Sequence, residues 1–179
     1  MIQVSKEVAL KPIHLEDQRV LLKLIRKIYL PVYRHLWTDN GAFYFEKNYS
    51  ITNLEKELAE IGSVYYFIRY KTTIIGILRI QFGKECIDFP GEAATKLHRI
   101  YLDPKVHGLG IGQLLLDWTI EQSKVHLSSV LWLEAMDTQK QSLQFYQKNN
   151  FQISGSFKLE VPNIIEKWQG MHTMYLRLL

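Results

Sequence analysis

Between Leu97 and Val125 the sequence passes from a run of strand formers, Leu97-His-Arg-Ile-Tyr-Leu102, through Asp103-Pro104 and three glycines spaced by one, into an amphipathic helical stripe. This order constrains the fold more than any other feature. Gly108, Gly110 and Gly112 free the backbone where a strand turns into a helix, and the first amides of a helix have no intrahelical acceptor. Together with the helix dipole, such amides favour a phosphate or pyrophosphate. Two other phosphate loops fail the comparison. G-x-G-x-x-G would need glycine where Gln113 or Leu115 stands, and a P-loop would need Gly-Lys-Ser/Thr. A tight connection with glycines for close packing is the plainer alternative.

Strands and helices surround this segment. Ile13 to Leu30 carries Leu15, Leu22, Ile25, Ile28 and Tyr29 at helical spacing, and Pro31 is expected to stop that helix. Thr52-x-x-Glu55 has the form of a capping box, which predicts a second helix from near residue 53 to Gly62, with an aromatic loop between the two. Val64 to Tyr70 and Thr73 to Gln81 read as a hairpin turning at Lys71-Thr72, and Ala93 to Leu102 as a third strand. In that strand the alternation puts Leu97, Arg99 and Tyr101 on one face and Lys96, His98, Ile100 and Leu102 on the other. Residues 110 to 125 form a helix with Ile111, Leu114, Leu115, Trp118 and Val125 on its stripe. A strand at Val130 to Glu134, a helix at Gln139 to Asn149 and closing strands at Phe151 to Leu159 and Met171 to Leu178 complete an α/β chain, with Val161 to Gly170 as a loop.

Composition removes several function classes. At 179 residues with 47% apolar and 22% charged side chains, a single domain over 1–179 is expected. One cysteine, Cys86, cannot make an internal disulfide, and the six histidines show no metal-ligand spacing, so no metal is expected. Lys plus Arg exceeds Asp plus Glu by 22 to 18, but the basic residues are scattered and form no nucleic-acid face. Apolar runs such as Ile74 to Leu78 are far too short to cross a bilayer. Met1 to Leu10 lacks the order of a signal peptide, making the cytoplasm the expected compartment, with no membrane partner and a homodimer left open.

A second stretch, Trp132 to Phe151, adds chemistry. On a helix starting near Gln139, positions 139, 142 and 146 are three and four apart, so Gln139, Ser142 and Tyr146 share a face. Together, in this order and spacing, the two stretches resemble the acetyl-CoA-binding core of the GNAT superfamily of N-acetyltransferases over roughly residues 64 to 157. The resemblance implies a mixed, mostly antiparallel sheet with two helices before it and two after. The family's pyrophosphate loop, Gln/Arg-x-x-Gly-x-Gly/Ala, corresponds to His107-Gly108-Leu109-Gly110-Ile111-Gly112, with histidine in first position. The segment Ile100-Tyr101-Leu102 would meet the pantetheine arm through the backbone of Ile100 and Leu102. In the second motif, Asn-x-x-Ala-x-x-Phe-Tyr-x-x-x-Gly-Phe, Phe145, Tyr146 and Phe151 match, while Gln139, Ser142 and Asn150 replace Asn, Ala and Gly. Arg99 to Leu102, Leu131 to Glu134 and the aromatic N-terminal segment further resemble PaiA-type polyamine acetyltransferases.

The activity so implied is transfer of an acetyl group from acetyl-CoA to a primary amine, a polyamine or another small amine. It needs a neutral amine and a proton for the leaving thiolate. Tyr146, with an ordinary pKa of about 10, is the candidate donor. The base is harder to place: Glu92 and His98 share the parity of Ala94, where some family members carry a glutamate. Trp37, Asp39 and Tyr44, with Glu134, are the candidate amine-binding residues, because aromatic rings and carboxylates suit a cation. The same aromatics could simply pack over the sheet. A catalytically silent acyl-CoA-binding module, suggested by the replacements at His107, Gln139, Ser142 and Asn150, is the alternative function.

Overall fold

The computed structural model describes residues 1–178. Eight strands form one sheet. They are β1 (Ile2–Gln3), β2 (Val8–Pro12), β3 (Ser63–Tyr70), β4 (Thr73–Phe82), β5 (Ala94–Leu102), β6 (Val130–Met136), β7 (Gln152–Lys158) and β8 (Gly170–Arg177), in the order β1-β2-β3-β4-β5-β6-β8-β7. Every neighbouring pair is antiparallel except β5 and β6. Five helices cover the sheet: α1 (Gln18–Tyr33), α2 (Ala42–Tyr49), α3 (Ile51–Ala59), α4 (Ile111–Val125) and α5 (Lys140–Lys148). No helix among the described residues is long and apolar enough to cross a membrane.

Two cores lie on opposite faces. One packs Leu78, Ile80 and Leu97 of the sheet against Ile111, Leu115 and Leu116 of α4. The other packs Phe67 and Ile77 against Leu21 and Ile25 of α1 and Leu54 of α3. The buried stripe of α4 also runs through Thr119 and Ser123, while Val125, expected on it, is 71% exposed. The two hydroxyls can be buried because each donates to the carbonyl four residues back, Leu115 O at 2.8 Å and Thr119 O at 2.7 Å.

Several expectations for the N-terminal half are corrected. Helix α1 begins at Gln18 and runs through Pro31 to Tyr33. Pro31 forfeits one hydrogen bond, but Tyr29 and Tyr33 stack across it with ring centroids 4.5 Å apart and hold the last turn. The expected aromatic loop contains α2, whose first turn is organised by Asp39. The cap of α3 is Ser50, whose Oγ accepts from Asn53 N, so the helix starts before the Thr52 position.

The third strand does not alternate as expected. Arg79 pairs with Arg99 but Ile80 pairs with Leu97, leaving His98 without a partner at a β-bulge. Leu97 therefore joins the α4 side, whereas His98 sits with Arg79 and Arg99 under α3. Two arginines directly opposite on one face would repel. Glu57 of α3 bridges them, at 3.2 Å to Arg79 and 2.7 Å to Arg99, and Glu60 takes the other edge of Arg79 at 2.5 Å. Replacing Glu57 with alanine leaves two buried cations facing each other and should cost about 3–5 kcal/mol in urea denaturation. Glu55→Ala, on the exposed side of the same helix, should stay within about 0.5 kcal/mol.

Candidate active site

Strand β5 ends at Asp103, whose Oδ1 accepts from Lys105 N at 3.0 Å and starts the turn Pro104–Val106. The chain then reaches Gly108 at φ +82° and Gly110 at φ +74°, left-handed positions that disfavour a side chain. A Cβ at either glycine would meet nothing within 4 Å. The glycines thus serve the path of the backbone, not close packing. The amides of Gly108, Gly110, Ile111, Gly112 and Gln113 have no backbone acceptor among the described residues, and the last three open α4. They form a ring of N–H donors at the positive end of a 15-residue helix.

Behind the loop the sheet opens. β5 and β6 pair only at Ala94–Val130, Thr95–Leu131 and Lys96–Trp132, and beyond that they part. Two cavities occupy the opening. The larger, about 540 Å³, lies between the glycine loop, the end of β5 and α5. The smaller, about 170 Å³, lies between β5, β6 and the aromatic end of α1 and α2. Tyr33, Ile100, Tyr101, Gln139, Ser142 and Tyr146 line both, so the cavities adjoin.

Tyr146 stands at that junction on α5. Its ring packs against Phe145 and Phe151, with centroids at 5.2 and 5.5 Å. Its hydroxyl has no hydrogen-bond partner among the described residues, and burial, helped by nearby Tyr101, raises its pKa above the ordinary tyrosine value. The group stays protonated across the neutral range. Tyr101 in turn starts a chain of hydroxyls leading away from it: Tyr101 meets Tyr44 at 3.1 Å, and Tyr44 meets Tyr49 at 3.4 Å. Gln139 precedes the first turn of α5 and gives its carbonyl to Leu143 N, while its side chain remains on the walls of both cavities. Asn150 takes φ +65° beyond the end of α5, a conformation that asparagine tolerates better than most residues.

The larger cavity gathers Ile100, Tyr101, Leu102, His107, Gly108, Gly110, Ile111, Gly112, Gln139 and Tyr146, all named from the sequence; Leu109 does not line it and is 55% exposed. Trp37, Tyr44, Glu134 and His98 line the smaller cavity. Asp39 does not. Its carboxylate accepts from Gly41 N at 2.9 Å, Phe43 N at 2.8 Å and Asn163 Nδ2 at 3.1 Å, which fixes the start of α2. Glu92 lies before β5, at the end of the strand away from the glycine loop, held by Arg177 and by Ser129 Oγ. Tyr29 and Tyr33, absent from the sequence-based candidates, enter the walls from α1. Their spacing of four on one helix face was the available signal.

His98 has an unusual setting. Arg79 donates to its Nδ1 at 2.6 Å, and because a guanidinium only donates, the ring hydrogen resides on Nε2. Burial first, then the charges of Arg99, Arg79, Lys96 and Lys84, press its pKa down to about 2. Folded His98 stays neutral where an unfolded histidine would gain a proton. Stability is therefore lost as pH falls from about 6.5 towards 2. Between about pH 6.5 and 4.5 the unmodified protein should lose stability faster than H98Q, by at most about 1.4 kcal/mol per pH unit, as read by urea denaturation. Parallel pH dependence in the two proteins would contradict this.

The comparisons with known proteins fit this geometry. The model of the Acetyltransferase (GNAT) family matches residues 22–151. An uncharacterized N-acetyltransferase from the pepI 3' region of Lactobacillus delbrueckii subsp. lactis is 26% identical over 108 residues, 60% of this chain and 62% of that protein. The chain thus spans less than two thirds of that relative's length. Among solved structures, the PaiA N-acetyltransferase of Thermoplasma acidophilum in complex with coenzyme A aligns at TM-score 0.69 and 17% identity, covering 95% of this chain and 98% of that one. The spermidine N-acetyltransferase of Vibrio cholerae in complex with CoA and spermine aligns at TM-score 0.67 and 17% identity, covering 97% of each. These likenesses concern the fold, and the family match extends over the glycine loop, the splayed strands and Tyr146 alike. The chain belongs to the GNAT family of acetyltransferases.

Proposed function

We propose that the protein moves the acetyl group of acetyl-CoA to the nitrogen of a small primary amine while both are bound. The observation that carries this reading is the position of Tyr146, whose unpartnered phenol lies where the loop-side cavity meets the smaller one. The larger cavity fits the cosubstrate chemically, with free amides at a helix start for a pyrophosphate and a strand edge at Ile100 and Leu102 for an amide-bearing arm. Acetyl-CoA supplies a thioester whose acyl carbon a neutral amine can attack.

The residues of this chain then have separate tasks. The loop amides bind and orient, and the Leu102 and Phe145 side chains close the floor beside Gly112. The phenol of Tyr146, protonated at neutral pH, gives its proton to the departing sulfur as the carbon–sulfur bond breaks and regains one from water. The amine must also lose a proton. His98 is poorly set to take it, with Nδ1 occupied by Arg79 and a hydrogen on Nε2, and Glu92 lies outside both cavities. That proton goes to water, with Glu134 the one carboxylate on the smaller cavity's wall. Cys86 is fully buried and lines neither cavity, so no thiol is available to carry the acetyl group between the substrates.

Thiol release from acetyl-CoA in the presence of a panel of primary amines tests the reading. Turnover is expected. Acetyl-CoA binding without transfer to any amine would make the chain a silent acyl-CoA-binding module. Tyr146→Phe should lower kcat by about 10²–10⁴-fold with little change in acetyl-CoA affinity. Gly110→Val, which forces a branched side chain to φ +74°, should instead weaken acetyl-CoA binding by roughly tenfold in calorimetry, in line with about 1–2 kcal/mol of backbone strain.

A further inference from the structure

We infer that the acceptor is a monoamine carried on a flat aromatic body, an arylalkylamine, and not a polyamine. The inference rests on the acetyl-transfer reading and narrows it. Six aromatic rings, of Tyr29, Tyr33, Trp37, Tyr44, Tyr101 and Tyr146, contribute to the walls of the smaller cavity. Five of them form one connected set: Tyr29 stacks on Tyr44 at 4.3 Å and on Tyr33 at 4.5 Å, meets Tyr101 edge-on at 5.7 Å, and accepts from Trp37 Nε1 at 3.1 Å. At about 170 Å³ the cavity is close to the roughly 150 Å³ that holds a benzene ring in a protein interior.

The charges around it argue in the same direction. A chain of ammonium groups leaving water needs a carboxylate for each charge or a strong hydrogen-bond substitute. The wall offers Glu134 alone, and Lys96 already engages it at 2.8 Å. Asp39 is taken up by the amides that start α2, and Glu57 and Glu60 are taken up by Arg79 and Arg99. The aromatic faces can hold one ammonium or stack on one ring, but they do not neutralise a row of cations. On the same wall His98 accepts from Arg79 at 2.6 Å, and the nearby cations Arg79, Arg99 and Lys96 already hold Glu57, Glu60 and Glu134 between them. With each of these carboxylates already paired, the wall suits an amine that enters with a single charge or none and opposes a polyamine.

The test compares phenethylamine, tyramine and tryptamine with spermidine and spermine, using the full chain with acetyl-CoA for turnover and with CoA for calorimetric binding. At least one arylalkylamine should exceed both polyamines by roughly tenfold or more in kcat/KM and in binding constant. Equal or tighter binding and faster turnover with spermidine or spermine would overturn the inference, as would the absence of binding by every arylalkylamine. The binding arm separates the two levels. Arylalkylamine binding with no acetyl transfer to any amine would uphold the ligand class while refuting the transfer reading on which it was built.

Discussion

Two parallel strands that hydrogen-bond for three residue pairs and then diverge determine most of what this molecule can do. β5 and β6 are joined from Ala94 to Lys96 and from Val130 to Trp132, and past that point each carries backbone donors and acceptors with no strand to meet. In a closed sheet those groups would be satisfied by the neighbour. Here they line an opening, and both cavities occupy it. The bulge at His98 falls in β5 just beyond the last pair, and Glu57 and Glu60 clamp the β4–β5 side of it through Arg79 and Arg99. A buried charge cluster is a weak source of stability. Its position gives it a different value, because it pins α3 to the bulge and keeps His98 on the cavity wall.

The opening separates two kinds of chemistry. On the α4 side, backbone amides and a helix terminus present donors without committing a charged side chain, which suits an anion of variable geometry. On the α1 and α2 side, phenols and an indole form a small aromatic pocket with no unpaired carboxylate among the described residues on its wall. Tyr146 touches both because α5 runs between them, and its ring is wedged by Phe145 and Phe151. Burial raises the pKa of the phenol, so the group is protonated at neutral pH and faces the place where a thiolate would develop. The two ends of the site are built by different parts of the chain, so their affinities can be altered separately.

Much of this was readable from the sequence because it is local. The glycine turn, the bounds of α4 and the grouping of Gln139, Ser142 and Tyr146 each depend on residues within a few turns of one another, and each appears within a residue or two of its expected place, though the stripe of α4 turns towards Thr119 and Ser123 and leaves Val125 exposed. What escaped is long-range or breaks a period. The contact of Glu57 with Arg79 and Arg99 spans 22 and 42 residues, and nothing in the neighbourhood of any one of them announces it. The parity argument for His98 assumed an unbroken period of two, and the bulge shifted one residue to the opposite face. Asp39 was read by its charge, but its position two and four residues before Gly41 and Phe43 amides made it a turn-former. Helix α2 has only eight residues and groups three of its four aromatics at consecutive positions 43 to 45, which hides its helical period, and β2 is a five-residue run ending in proline.

Amide hydrogen exchange with and without acetyl-CoA tests the central claim most directly, since it reads the free backbone donors themselves. The amides of Gly108, Gly110, Ile111, Gly112 and Gln113 should slow together on addition of acetyl-CoA, along with the part of β5 from Ile100 to Leu102 that has no β6 partner, while β1 and β7 at the sheet's edges stay unchanged. Unaltered exchange in the glycine loop, with protection appearing elsewhere on the surface, would show that the opening between β5 and β6 is not where acetyl-CoA binds.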